Sequence, residues 1–131
     1  MGFSQESIAR YEQQQRRSRW ITTPGSHIVK ISSWQYSPPG KRRYVVFDLC
    51  NDEGREQRVE FSLSVPVLRT GELLRFVVAA LHWDEHAGNP LAVARASTFN
   101  ELVGRRVAVA VVKTAAGLHR VVDWGSVRSD G

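Results

Sequence analysis

Five stretches of this chain alternate apolar and polar residues, and the stretch between the third and fourth does not. The alternation is clearest over residues 57–65, where Val59, Phe61, Leu63 and Val65 interleave with Arg58, Glu60, Ser62 and Ser64. A side-chain period of two turns one face of a strand to a core and the other to water. The same period runs through residues 26–36, 43–50, 106–113 and 118–124, with Val45, Phe47 and Leu49 forming the more apolar face of the second stretch. Turn-forming clusters separate them: Ser37-Pro38-Pro39-Gly40, Asn51-Asp52-Glu53-Gly54, and residues 114–117. Over residues 71–82 the period becomes helical, with Leu73, Leu74, Val77, Ala80 and Leu81 on one face and Thr70 placed to cap. Thr98 and Glu101 have the spacing of a capping box for a second short helix, closed by Gly104.

This order predicts a mainly β protein with one or two helices. Five strands with a helix between strands 3 and 4 is the order of the OB-fold, a partly open Greek-key barrel. A five-stranded open sheet with the helix on one face has the same order. At 131 residues, one domain is expected. Residues 1–22, rich in Gln, Ser and Arg, read as an N-terminal basic arm or short helix, with Ser4 as cap and Ile8 and Tyr11 on one face. Residues 23–126 form the OB-like barrel domain and 127–131 a short tail. The single cysteine, Cys50, excludes an internal disulfide and any zinc site of two or more thiolates. The longest apolar run, residues 76–81, is six long, against the roughly 20 that a membrane span needs. With no apolar leader at the N-terminus, a cytoplasmic protein with no membrane partner is expected.

Charge narrows the expected partner. The formal charge is +5, but eight basic residues and one acid within residues 10–43 give that segment +7 and leave the rest at −2. A local basic stripe points to a polyanion or an acidic partner. It includes Arg16, Arg17 and Arg19 around Trp20 in the arm, Lys30 in the first strand, and Lys41, Arg42 and Arg43 at the exit of the first hairpin loop. Trp34 and Tyr36 stand at that loop's other shoulder. Single-strand binding needs aromatic faces for bases, each worth about 1–3 kcal/mol, beside cations for phosphates. The period of two places Trp34 and Tyr36 on the face of Lys30, with Tyr44 and Arg58 extending it on strands two and three. The outward Asp48 and Glu60 oppose a phosphate track there.

Several features resemble a family of small phage-encoded proteins of unknown function found among replication and recombination genes. They are Pro24-Gly25 opening the first strand, an apolar strand followed by the acidic glycine turn at residues 51–54, and the helix around Leu73 and Leu81. The most specific is Leu102-Val103-Gly104-Arg105-Arg106-Val107 leading into a Val-rich strand. The resemblance spans most of residues 24–124. It implies an OB-like barrel and a role with single-stranded DNA, and it carries no catalytic residues. Many single-strand binders end in an acidic tail that recruits partners, whereas this sequence ends Val-Arg-Ser-Asp-Gly, so that mode of recruitment is not expected.

Enzyme chemistry is not expected. His82-Trp83-Asp84-Glu85-His86 matches the H-x-x-E-H zinc peptidase string, but it falls at a helix end with Gly88 and Pro90 following, and reads as a polar turn. Pro39-Gly40-Lys41 lacks the first glycine and the Ser or Thr of a phosphate loop. No metal site or cofactor is expected. The leading expectation is therefore a non-enzymatic binder of single-stranded DNA, with RNA as the related ligand. The alternative is an interaction module that docks its basic arm on an acidic partner, such as a replication or recombination protein, or on a second copy of the chain.

Overall fold

The computed structural model describes residues 20–37, 43–83 and 88–127. Five strands, β1 (Gly25–Tyr36), β2 (Tyr44–Asn51), β3 (Glu56–Ser62), β4 (Arg106–Lys113) and β5 (His119–Ser126), form one antiparallel sheet in the order β3-β2-β1-β4-β5. Between β3 and β4 lie three helices: α1 (Val65–Leu68), α2 (Glu72–Leu81) and α3 (Ala96–Leu102). β1 is the shared strand, pairing with β4 through residues 25–30 and with β2 through residues 29–36.

The sheet curls. In a flat sheet, β3 and β5 would lie about 19 Å apart, four spacings of ~4.8 Å. Instead the Gln57 side-chain amide on β3 donates to the His119 carbonyl on β5 at 3.2 Å, and the rings of Phe61 and Trp124 meet at 5.2 Å. These two contacts ascend both strands together, so β3 and β5 approach in parallel. Among the described residues no backbone ladder joins them, and the result is a half-barrel with a side-chain seam. Bulges in β1 (between Ile31 and Ser33) and in the β4–β5 pair (at Ala110/Val111) add the local twist that curling requires.

The concave side holds the core. Val29, Ile31, Val45, Phe47, Leu49, Val107, Val109 and Val111 are buried, as alternation demands. Phe76 of α2 lies against Phe47, Phe61 and Trp124 at 5.1, 5.2 and 5.7 Å, and Phe99 of α3 lies against Phe47 at 5.5 Å. The two helices thus supply the aromatic filling of the curl.

Several expectations need correction. Strand three ends at Ser62, and residues 65–68 are helical: Pro66 takes the first turn of α1, where its missing N–H costs nothing, and Val65 is exposed. That makes three helices among the described residues, not one or two. Thr70 does not cap α2. Its hydroxyl donates to the Val67 carbonyl at 2.6 Å, and Gly71, at φ 78°, takes the N-cap position. The capping box at Thr98 is absent, because α3 already starts at Ala96, with Arg95 at its N-cap. Residues 20 and 21, expected in the arm, belong to the body. Trp20 bridges Glu56 in parallel, the Ile21 N–H donates to the Glu56 carbonyl at 2.9 Å, and Ile21 is 1% exposed within the core.

Candidate nucleic-acid interface

The loop between β1 and β2 is cinched at its base. The Ser37 N–H donates to the Tyr44 carbonyl at 2.9 Å, and the Tyr44 N–H donates to the Ser37 hydroxyl at 3.0 Å. Lys41 and Arg42 lie outside the described residues. Around this base the fold gathers Tyr36, 49% exposed, an exposed Arg43 and a half-exposed Tyr44. Tyr36 pairs with the inward Val45, whereas Tyr44 pairs with Ser62 on the opposite face, so the two rings flank the sheet rim from either side.

Trp34 and Tyr36 do not share a face with Lys30. The extra residue of the β1 bulge, Ser32, reverses the alternation: Ile31 and Trp34 both point inward, three residues apart, and Lys30 points outward. Trp34 packs edge-on against Tyr36 at 5.0 Å and Phe99 at 5.2 Å, and its indole N–H donates to Asn100 Oδ1 at 2.9 Å. Its ring is committed to α3. Tyr36, also edge-on to Phe99 at 6.1 Å, is the aromatic of this pair left half-open to solvent.

On the convex face of β2 and β3, Arg58 is tied down. Its Nε lies 2.9 Å from Asp48 Oδ1, while Ser33 donates to Asp48 Oδ2 at 3.1 Å. The pair adds no net charge, and Glu60 lies on the same face, so the middle of this surface is neutral to acidic. Lys30 sits across from Cys50, six residues and about 20 Å along β2 from Tyr44 at ~3.3 Å per residue. Trp20, 39% exposed, is near that far end, beside Glu56. Arg16, Arg17 and Arg19 lie outside the described residues. The expected site therefore divides into a loop end (Tyr36, Arg43, Tyr44) and a hairpin end (Trp20, Lys30).

Sequence reasoning missed one cation. Arg106 of β4 is the direct cross-strand partner of Lys30, with its guanidinium 3.6 Å from the exposed Asp52. Arg105-Arg106 was visible as a basic step into a strand, but its neighbour depends on a β1–β4 register that alternation does not specify. Among the described residues, no group of His, Cys, Asp and Glu is placed to hold a metal ion. His82 follows α2 in the left-handed conformation, with φ 56°, and Glu85 and His86 lie outside the described residues. No described helix is long and apolar enough to cross a membrane. Comparison with known protein families and with curated proteins gave no significant match.

Proposed function

We propose that this chain is a non-enzymatic single-stranded nucleic-acid binder built on an OB-type barrel, acting on DNA in phage or mobile-element replication or recombination. The observation that carries the proposal is the topology. The order β3-β2-β1-β4-β5, a β1 shared by two halves and a parallel approach of β3 to β5 are what a five-stranded Greek-key barrel of this type requires. That architecture grips nucleic acid with its β2–β3 face and the loops after β1 and β4. Here the β1–β2 loop carries Lys41, Arg42 and Arg43 between two tyrosines, and Lys113 and Arg120 flank the β4–β5 turn. Phosphates follow the loop cations and a base stacks on Tyr36. The neutralised Asp48–Arg58 pair leaves the middle of the face as a weak track, so the loop end dominates.

Titration of a fluorescent oligo-dT at several salt concentrations tests this. Each phosphate contact on a single strand contributes about −0.7 to the log–log salt slope, so Arg42→Ala with Arg43→Ala should reduce the slope's magnitude by about 1.4. Tyr36→Ala should weaken binding at every salt concentration by about 1–3 kcal/mol. Trp34→Ala should chiefly lower stability. Absence of binding at low salt, or a slope unchanged by the double substitution, would sink the proposal.

A further inference from the structure

The convex side of the sheet has two halves of different chemistry. The half on β2 and β3 carries Asp48, Arg58 and Glu60. The half centred on β4 is apolar: Ile28 of β1, Val112 of β4 and Val122 of β5 are 46%, 39% and 51% exposed. They turn outward because their neighbours Val29, Val111 and Val121 are buried, and Val122 is the unpaired residue of the β5 bulge. The helices fill the concave side and leave these three side chains open among the described residues.

Gly125 of β5 points to an approach on this face from outside. Among the described residues it is the one glycine whose φ is not positive, so the backbone does not require it there. Packing within the chain does not require it either, since a Cβ at Gly125 would meet nothing within 4 Å. Its missing side chain would point outward, because it pairs with Ala108, whose neighbours Val107 and Val109 are buried. A glycine inside a strand weakens it, and one without an internal reason is accounted for by close approach of another molecule.

The cross-strand rows fit a second copy of the chain. Ile28, Ala108 and Gly125 form one row across β1, β4 and β5, and Ser26, Ala110 and Asp123 form the next. A two-fold axis along β4 sets β1 of one copy over β5 of the other and keeps the strands aligned, as in stacked sheets. That single operation seats Ile28 in the hollow at Gly125 of the other copy. It also brings the Ser26 hydroxyl, a donor, to the Asp123 carboxylate, an acceptor. The only formal charge in the two rows is that carboxylate, which disfavours nucleic acid as the occupant. We propose that this face is a weak two-fold interface between two copies of the chain. The outward residues of β4 span about 20 Å at ~3.3 Å per residue, and three strands with their side chains are about 15 Å wide. Each copy thus buries on the order of 300 Å2, against about 800 Å2 in a standard interface, and the association is of the transient kind.

Sedimentation equilibrium on the full chain without nucleic acid, from about 10 μM to about 1 mM, tests this separately from the oligonucleotide titration. The native chain should pass from monomer to dimer over that range. Added salt should not weaken the dimer, whereas it weakens phosphate binding. Gly125→Val should raise the dimer's Kd at least about tenfold while the thermal midpoint holds or rises, because the added side chain has room within one copy and suits a strand. Ile28→Lys and Gly125→Asp should each dissociate the dimer. Combined in one chain they should restore it, since the two new side chains meet across the axis as opposite charges. A chain that stays monomeric throughout overturns the proposal, and the face then serves another segment or another protein. A dimer that Gly125→Val leaves intact overturns it too, as does a combined variant no better associated than the single ones.

Discussion

Gln57 is the one buried polar side chain among the described residues, and its amide is used at both ends. Nε2 donates to the His119 carbonyl of β5, and Oε1 accepts from the Arg58 N–H at 3.0 Å. That N–H is directed away from β2, on the edge that no neighbouring strand satisfies. One side chain therefore bridges the seam and satisfies a backbone donor that the missing ladder would otherwise serve. A buried donor or acceptor left without a partner costs about 1–3 kcal/mol. Gln57→Leu, similar in size but unable to bond, should lower stability by about that much, seen as a lower urea midpoint with an unchanged slope. Gln57→Glu should cost more, because a carboxylate would then face the His119 carbonyl. A Leu variant as stable as the native chain would show that water replaces the bridge freely.

At the scale of elements, α1 tests how far alternation can be followed. Residues 57–65 read as one uninterrupted strand, yet β3 stops at Ser62 and Val65 is 49% exposed. Phe61 is 5% exposed. Val65→Gln should therefore change stability by no more than about 0.5 kcal/mol, as for an ordinary surface site. Phe61→Ala should cost about 3–5 kcal/mol. Thermal melts of the two variants compare them directly, and similar losses would mean that residue 65 lies in the core as the alternation implied. The strands were legible because one of their faces is buried, which forces a period of two on Val45, Phe47 and Leu49 and again on Val107, Val109 and Val111. The strand end was not, because Leu63, which still packs on the core and donates to the Arg43 carbonyl, carries the period past Ser62, and the exposed Val65 extends it by chance. The one contrary mark was Pro66, which is poorly suited to a central strand but well suited to a helix's first turn. The candidate site was half-legible for a similar reason. Arg43 and the aromatics at the loop shoulders were identifiable by type and position. Their faces were not, because a single bulged residue, Ser32, reverses the parity on which the assignment of Trp34 and Lys30 to one face depended.

A half-barrel leaves two strand edges to manage, since unpaired edges invite pairing with other chains. This molecule covers the seam along β3 by different means. The aromatic contact of Phe61 with Trp124 and Phe76 fills one end, the Gln57 bridge holds the other, and Ile21 lies beside Glu56 where β3 begins. The last of these fixes where the folded body starts. If residues through 22 were only a basic arm, Ile21 would be dispensable for stability. Its 1% exposure and its backbone bond to β3 instead make it a core residue, delivered by the segment that leads into β1. Ile21→Ala should cost about 2–5 kcal/mol, the range for truncating a buried Ile, and Ile31→Ala in the middle of β1 should cost a similar amount. Trp20→Ala, removing a ring that is 39% exposed, should cost clearly less than Ile21→Ala. Urea denaturation of the three variants places residue 21 by its energetics. If Ile21→Ala leaves the midpoint at the native value while Ile31→Ala lowers it, the seam does not need this segment and the body begins at β1.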